Sequence, residues 1–189
     1  MSRINIANML TGMRLVLVPI LLLSLLLDKT NQTNWKLAAF LIFVTAAITD
    51  NLDGFLARNY NKITTFGTLA DPIADKLLIG SAMIGLSLLN EIPWWATFII
   101  LIREIGVTVL RLTLLYSNLL LGNNAVSASY GGKIKTLMQN LAIGQFLFPL
   151  HIHSNFWFNF SWTTMWLALV LTVLTGLNYI LLTIKNSNK

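Results

Sequence analysis

No cysteine occurs in the 189 residues, which excludes disulfides, thiolate zinc sites and a cysteine nucleophile. Charge is scarce as well. Only 11% of residues are Asp, Glu, Lys or Arg while 56% are hydrophobic, whereas ordinary soluble domains carry about 25% charged residues. So few charged side chains cannot coat a globule of this size, and the mean hydropathy of +0.70 agrees. The composition therefore predicts an all-α integral membrane protein, with residues 1–189 forming one membrane domain. There is no internal repeat and no low-complexity segment. The net charge of +6 is not gathered into a basic stripe; the Lys and Arg residues flank apolar runs, which argues against nucleic-acid binding.

Apolar runs of spanning length predict six transmembrane helices: Leu10–Leu27, Trp35–Thr49, Ile73–Leu89, Ile92–Tyr116, Ile134–Leu150 and Trp162–Ile184. The second is expected to continue as helix through Ala57. The first run ends in Ser24-Leu25-Leu26-Leu27-Asp28, which offers no small-x-small cleavage site, so it reads as a retained helix and not as a signal peptide. Ahead of it, Ile4–Met9 reads either as a short interfacial half-helix or as a tail held by Arg3. With a cytoplasmic N-terminus, Arg3, Arg14, Arg58, Lys62, Lys76, Arg111, Lys133, Lys135, Lys185 and Lys189 fall at the inner side, and only Lys29 and Lys36 at the outer side. The positive-inside rule then places both termini in the cytoplasm. Tryptophans sort to outer ends and tyrosines to inner ends, as interfacial belts do. His151 and His153 fall in an outer loop, far from any acidic residue cluster.

The chain has seven acidic residues, and four of them, Asp50, Asp53, Asp71 and Asp75, lie within 26 positions at the inner ends of the second and third spans. Each Asp near mid-helix costs about 2.5 to 3.5 kcal/mol to insert, so four together call for a cation. Asp50 and Asp53 are three apart and Asp71 and Asp75 four apart, so each pair projects from one helix face. Two adjacent helices would bring the pairs to one volume. Hard oxygen ligands without His or Cys suit Mg²⁺ or Mn²⁺, and two such ions would clamp a displacement at phosphorus. The residues between the pairs fit a phosphate-handling site. Gly54, Ala57 and Gly67 keep the backbone open to close approach, and Arg58 offers a planar donor able to grip phosphate bidentately. Pro72 is expected in the first turn of the third helix. The plainer alternative, ion pairing at a helical hairpin, does not require four carboxylates with small residues at these spacings.

Taken together, Asp50-x-x-Asp53-Gly54-x-x-Ala57-Arg58, eight residues, then Gly67-x-x-x-Asp71-x-x-x-Asp75 resembles the complete signature of the CDP-alcohol phosphotransferase family. The resemblance implies a six-span enzyme that moves a phosphatidyl or similar group from a CDP-linked donor to an alcohol and releases CMP. It also implies a divalent metal, with the first three Asp as ligands and Asp75 as the base; Asp50, Asp53, Asp71 and Asp75 are together the expected metal-binding positions. Three further stretches resemble the branch whose donor is CDP-diacylglycerol and whose acceptor is glycerol 3-phosphate. They are Asn8-Met9-Leu10-Thr11-Gly12-Met13-Arg14, Arg103-Glu104 with Arg111, and Gly132-Lys133-Ile134-Lys135-Thr136.

These stretches also carry chemistry of their own. Thr11 and Arg14 share one helix face; Glu104, Thr108 and Arg111 share another; Lys133 and Lys135 stand at an inner mouth. Cations near the carboxylates suit an acceptor that brings its own phosphate. Thr11, Arg14, Arg111, Lys133 and Lys135 are thus the expected acceptor-phosphate pocket, with Asn8 and Tyr179 as lesser candidates. Simpler roles compete: Lys133 and Lys135 as positive-inside anchors, Arg111 neutralising Glu104, Arg14 snorkelling to the interface, and Arg103 in a structural pair. Within the family, inositol phosphate, serine or phosphatidylglycerol are alternative acceptors, and outside it a cation transporter competes. Ser81 and Gly85, at small-xxx-small spacing, suggest a homodimer. The expected setting is a bacterial plasma membrane, among membrane lipids, with the active site facing the cytoplasm.

Overall fold

The computed structural model describes residues 6–28, 33–60, 65–116, 130–149 and 154–187. Within these, the side chains of residues 6–11, 33, 50–60, 65–72, 111, 112, 114–116, 130, 182 and 184–187 lie outside the described set. Six α-helices, and no strand among the described residues, make up the fold: α1 (Ile6–Leu27), α2 (Thr33–Tyr60), α3 (Thr65–Leu88), α4 (Trp94–Tyr116), α5 (Tyr130–Leu147) and α6 (Asn155–Ser187).

The helices are those expected from hydropathy, but several run further into polar sequence. α1 is helical from Ile6, so Ile6–Met9 is neither a separate interfacial half-helix nor a tail; it forms the first turns of α1. α2 continues past Ala57 to Tyr60. α3 starts at Thr65 and not at Ile73, so Pro72 lies inside the helix and not in its first turn. That position removes one i→i−4 hydrogen bond from α3.

Polarity is distributed inside out relative to a soluble protein. Ile102, Leu181 and Phe156 are 70%, 65% and 71% exposed, whereas Arg14, Lys36, Glu104, Lys135 and Gln139 are buried. Such a surface fits hydrocarbon, because apolar side chains cost nothing against lipid tails while charges must find partners inside the bundle. One helix, Asn155–Leu181, is clearly long and apolar enough to cross a bilayer, and Gly12–Leu27 and Asn34–Thr49 are shorter apolar stretches. The protein is accordingly a membrane protein, helical throughout its described elements.

α1 packs along both α2 and α3, α5 packs along α6, and α4 joins the two groups by touching α3 and α6. Leu25, Phe43, Met83, Leu86, Ile143 and Phe146 form the middle of the core. The α1–α3 seam depends on Gly85: a Cβ there would lie 2.4 Å from Leu25 Cδ1 and 3.2 Å from Leu25 Cβ. Ser81, one turn earlier, is buried and bonds back to the Leu78 carbonyl at 3.0 Å. Gly85 thus serves packing within the chain, which withdraws the small-xxx-small argument for a homodimer.

α3 stops in a Schellman turn. Asn90 takes the left-handed conformation (φ 58°), Glu91 N–H donates to Leu86 O at 3.0 Å, and Asn90 N–H donates to Ser87 O at 3.1 Å. The turn delivers Glu91 to Lys36 of α2, with which it forms an ion pair, and Asp28 at the end of α1 is buried close by. Ser87 and Thr97 then join α3 to α4 through a 2.7 Å hydrogen bond.

Candidate active site

The signature positions lie on two helices. Residues 50, 53, 54, 57 and 58 belong to α2, and 67, 71 and 75 to α3. The side chains of Asp50, Asp53, Ala57, Arg58 and Asp71, and the surroundings of Gly54 and Gly67, lie outside the described residues, as do the side chains of Asn8, Thr11 and Arg111. Asp75 is described and half-buried. Its Oδ2 is 3.8 Å from Lys76 Nζ.

From Lys76 an ion-pair network enters the bundle. Lys76 bonds Glu104 Oε2 of α4, and Lys135 of α5 bonds Glu104 Oε1. Arg103 donates to the same Oε1 at 3.2 Å, and Gln139 Nε2 reaches it at 3.4 Å. The network is tied to α6 by two threonines that each use both hydrogen-bonding capacities of a hydroxyl. Thr172 donates to Ala168 O at 2.6 Å and accepts from Gln139 Nε2 at 3.0 Å. Thr175 donates to Leu171 O at 2.6 Å and accepts from Arg103 Nη2 at 2.8 Å. The Arg103 stem lies over Gly176, where a Cβ would come within 3.1 Å of Arg103 Cγ. Three helices thus meet at one carboxylate, and α6 braces two of its partners.

Among the described residues, Glu104 faces Lys76, Lys135 and Arg103, and including Asp75 there are three cations for two carboxylates. Of the three cations Lys135 is buried, while the side chains of Lys76 and Arg103 are 28% and 16% exposed.

The structure brings together Asp75, Glu104 and Lys135 from among the residues singled out by sequence. Arg103 pairs with Glu104, the structural pairing expected for it. Lys135 is buried and engaged by Glu104, so it is not simply an anchor at the membrane surface. Arg14 is wholly covered, which a snorkelling arginine is not. Lys133 is exposed and Tyr179 half-buried. Lys76, Gln139, Thr172 and Thr175 were not anticipated as site residues. One signal was available: Lys135 and Gln139 are four apart on one face of α5, so both can reach the same partner.

A lateral groove of about 450 Å³ opens between α2 and α5. Phe40, Phe43, Ile48, Leu137, Leu141 and Phe148 supply its apolar walls, with Gly144 in its floor. Its Ile48–Leu137 end adjoins the helix turns that carry position 50 and Lys135; its other end is closed where Phe40 and Phe148 approach with ring centroids 5.0 Å apart.

Residues 4–174 match the family model described as CDP-alcohol phosphatidyltransferase. The chain belongs to that family. A membrane-embedded transferase is therefore the class of protein, and the transporter alternative is set aside. Among curated relatives, the chain is 47% identical over 180 residues to a probable phosphatidylglycerophosphate synthase of Mycobacterium tuberculosis, covering 93% of this chain and 80% of that one. It is 34% identical over 187 residues to a CDP-diacylglycerol–glycerol-3-phosphate 3-phosphatidyltransferase of Bacillus subtilis and 36% identical over 182 residues to the Escherichia coli enzyme of that name. Both of these alignments cover 93% of either chain. In this family a divalent metal is general, and the donor set fits it: carboxylate positions at helical spacing on two neighbouring helices, with Asp75 at their described end.

Proposed function

We propose that this protein transfers the phosphatidyl group of CDP-diacylglycerol to the primary hydroxyl of glycerol 3-phosphate, giving phosphatidylglycerophosphate and CMP. The observation that carries the choice of acceptor is the gathering of Lys76, Lys135 and Arg103 around Glu104, next to Asp75, among the described residues. A phosphorylated acceptor gives such cations an anion to bind, which a neutral alcohol does not. The names of the relatives point the same way.

Asp50, Asp53 and Asp71 would hold Mg²⁺ or Mn²⁺, two ions by the carboxylate count, with Asp75 at the edge of the set. Bound there, divalent ions supply Lewis-acid stabilisation of charge at phosphorus. The chain's own residues do the rest. Arg58 grips the donor diphosphate, and Gly54, Ala57 and Gly67 leave room for it beside the helices. Thr11, Arg14, Arg111, Lys133 and Lys135 receive the acceptor's phosphate, with Asn8 and Tyr179 as outlying contacts. Asp75 takes the proton of the acceptor hydroxyl as its oxygen forms a bond to the donor phosphorus and the bond to CMP breaks. The groove between α2 and α5 takes an acyl chain of the donor, since α2 supplies both its wall and positions 50–58.

We read the six helices as six spans of one domain, in a bacterial plasma membrane, with both termini and the carboxylate end cytoplasmic. Detergent-solubilised protein given CDP-diacylglycerol, Mg²⁺ or Mn²⁺ and a panel of glycerol 3-phosphate, inositol phosphate, inositol and serine tests the proposal. CMP release dependent on glycerol 3-phosphate is the expected result. Preference for serine or free inositol overturns the acceptor assignment and leaves family membership intact.

A further inference from the structure

Asp75 is one of four carboxylate positions in the signature, and in the structure it has a cationic neighbour. Lys76 follows it directly on α3, so the two side chains leave the helix about 100° apart and cannot stack. The Lys76 ammonium nevertheless lies 3.8 Å from Asp75 Oδ2, because its other contact, Glu104 of α4, draws it to that place. A lysine stem has four rotatable bonds, and this one is 28% exposed; alone it would not hold one position.

Glu104 is what immobilises it. Its side chain is 3% exposed. One carboxylate oxygen is given to Lys76 and the other is shared by Lys135, Arg103 and Gln139, with Gln139 and Arg103 themselves anchored on Thr172 and Thr175 of α6. Glu104 therefore has no free rotation in which to follow a moving lysine. The result is a relay of fixed groups from α6 through α4 to the ammonium beside Asp75.

We propose that Lys76, clamped by Glu104, is a positioning residue that holds the Asp75 carboxylate in the orientation from which it takes the acceptor's proton. This rests on the functional reading above, in which Asp75 is the base. A carboxylate on a helix surface can turn about its own side-chain bonds. A fixed ammonium 3.8 Å from one of its oxygens restricts that turn. Glu104 by this account has two separable tasks, fixing Lys76 for the chemical step and Lys135 for acceptor binding.

The test is steady-state kinetics of purified full-length protein, with CDP-diacylglycerol, glycerol 3-phosphate and Mn²⁺ varied separately, on Lys76→Gln, Lys76→Arg, Glu104→Gln and the Lys76→Gln/Glu104→Gln pair. Lys76→Gln is expected to lower kcat about 30- to 100-fold while KM for both substrates and the Mn²⁺ activation constant stay within about threefold. Lys76→Arg, which keeps the charge and the reach to Glu104, should recover about tenfold of that loss. Glu104→Gln should lower kcat and also raise KM for glycerol 3-phosphate. Added to Lys76→Gln it should lower kcat less than about threefold further while the KM effect persists, since the two act on kcat through one group. Wild-type protein that releases no CMP overturns the functional reading and this inference with it. Active wild-type protein with an unchanged kcat in Lys76→Gln, equal losses in Lys76→Arg and Lys76→Gln, or fully additive kcat effects in the pair overturns the inference alone. Thermal midpoints and size-exclusion profiles accompany each variant, and a kcat loss that tracks a loss of monodisperse protein also counts against it.

Discussion

Lys135 of α5 donates to Glu104 of α4 across the bundle, so a side chain expected from sequence to meet a phosphate already has a carboxylate partner. The two statements are compatible. Glu104 shares its oxygens with Lys76, Arg103 and Gln139 as well, and therefore does not exhaust the charge of Lys135.

Removing Lys135 tests this directly. In Lys135→Ala, Glu104 keeps Lys76 and Arg103, so the bundle should remain folded. Loss of one charged phosphate contact costs about 1.5 to 3 kcal/mol, seen as a raised KM for glycerol 3-phosphate with donor KM nearly unchanged. Arg111→Ala should behave alike. If both variants kept normal dependence on the acceptor, the phosphate pocket would have to lie elsewhere.

Substitution at the acidic positions should separate chemistry from folding. Asp50→Asn, Asp53→Asn or Asp71→Asn should each leave a monodisperse protein with CMP release lowered by about three orders of magnitude or more. Near-normal turnover in Asp53→Asn would remove it from the metal ligands.

The lateral groove gives a test that leaves the polar site untouched. Nothing lies within 4 Å of a Cβ built on Gly144, so a larger side chain there enters open space without displacing a neighbour. Gly144→Leu should raise KM for long-chain CDP-diacylglycerol about tenfold, the equivalent of roughly two buried methylenes, and spare a short-chain donor. Equal effects on both donors would mean that no acyl chain uses this groove.

Glu91 lies in the turn between α3 and α4, outside the helices. Burial raises its pKa above the ordinary glutamate range; Lys36 opposes the rise and Asp28 adds to it. A raised carboxylate pKa means that the folded protein binds the proton more readily than the unfolded chain. This group's contribution to stability is therefore present below the ordinary value and lost as pH rises through the raised one. Plotted against pH, the thermal midpoint of wild type minus that of Glu91→Gln should fall across this window. A difference that rises with pH would reverse the assignment.

Most helix positions were legible because an apolar run of spanning length has few other fates. Leu27 ends α1 in the structure, as hydropathy indicates. The starts of α3 and α6 were not legible, for a shared physical reason. Thr65–Pro72 and Asn155–Ser161 carry polar residues, so an apolar window closes before the helix does, although hydrogen bonding carries the helix on. Of the site, the spacing of Asp50, Asp53, Asp71 and Asp75 could be read directly, because helical periodicity turns spacing into a shared face. The Glu104 network could not. Lys76, Glu104, Lys135 and Thr172 lie on four different helices, and which of them meet is decided only by how those helices pack.

The Gly85–Leu25 seam has a reach beyond its own contact. Leu25 and Arg14 are eleven residues apart on α1, about three full turns and some 16 Å, so they share one bearing around the helix axis, and both are fully buried. α1 is thus a shaft keyed at one end, where the missing side chain of Gly85 is the slot and Leu25 the key. Pro19 is a joint between the key and Arg14, since it removes one i→i−4 hydrogen bond from the shaft. A methyl group in the slot would press on Leu25 first and reach Arg14 only through that joint.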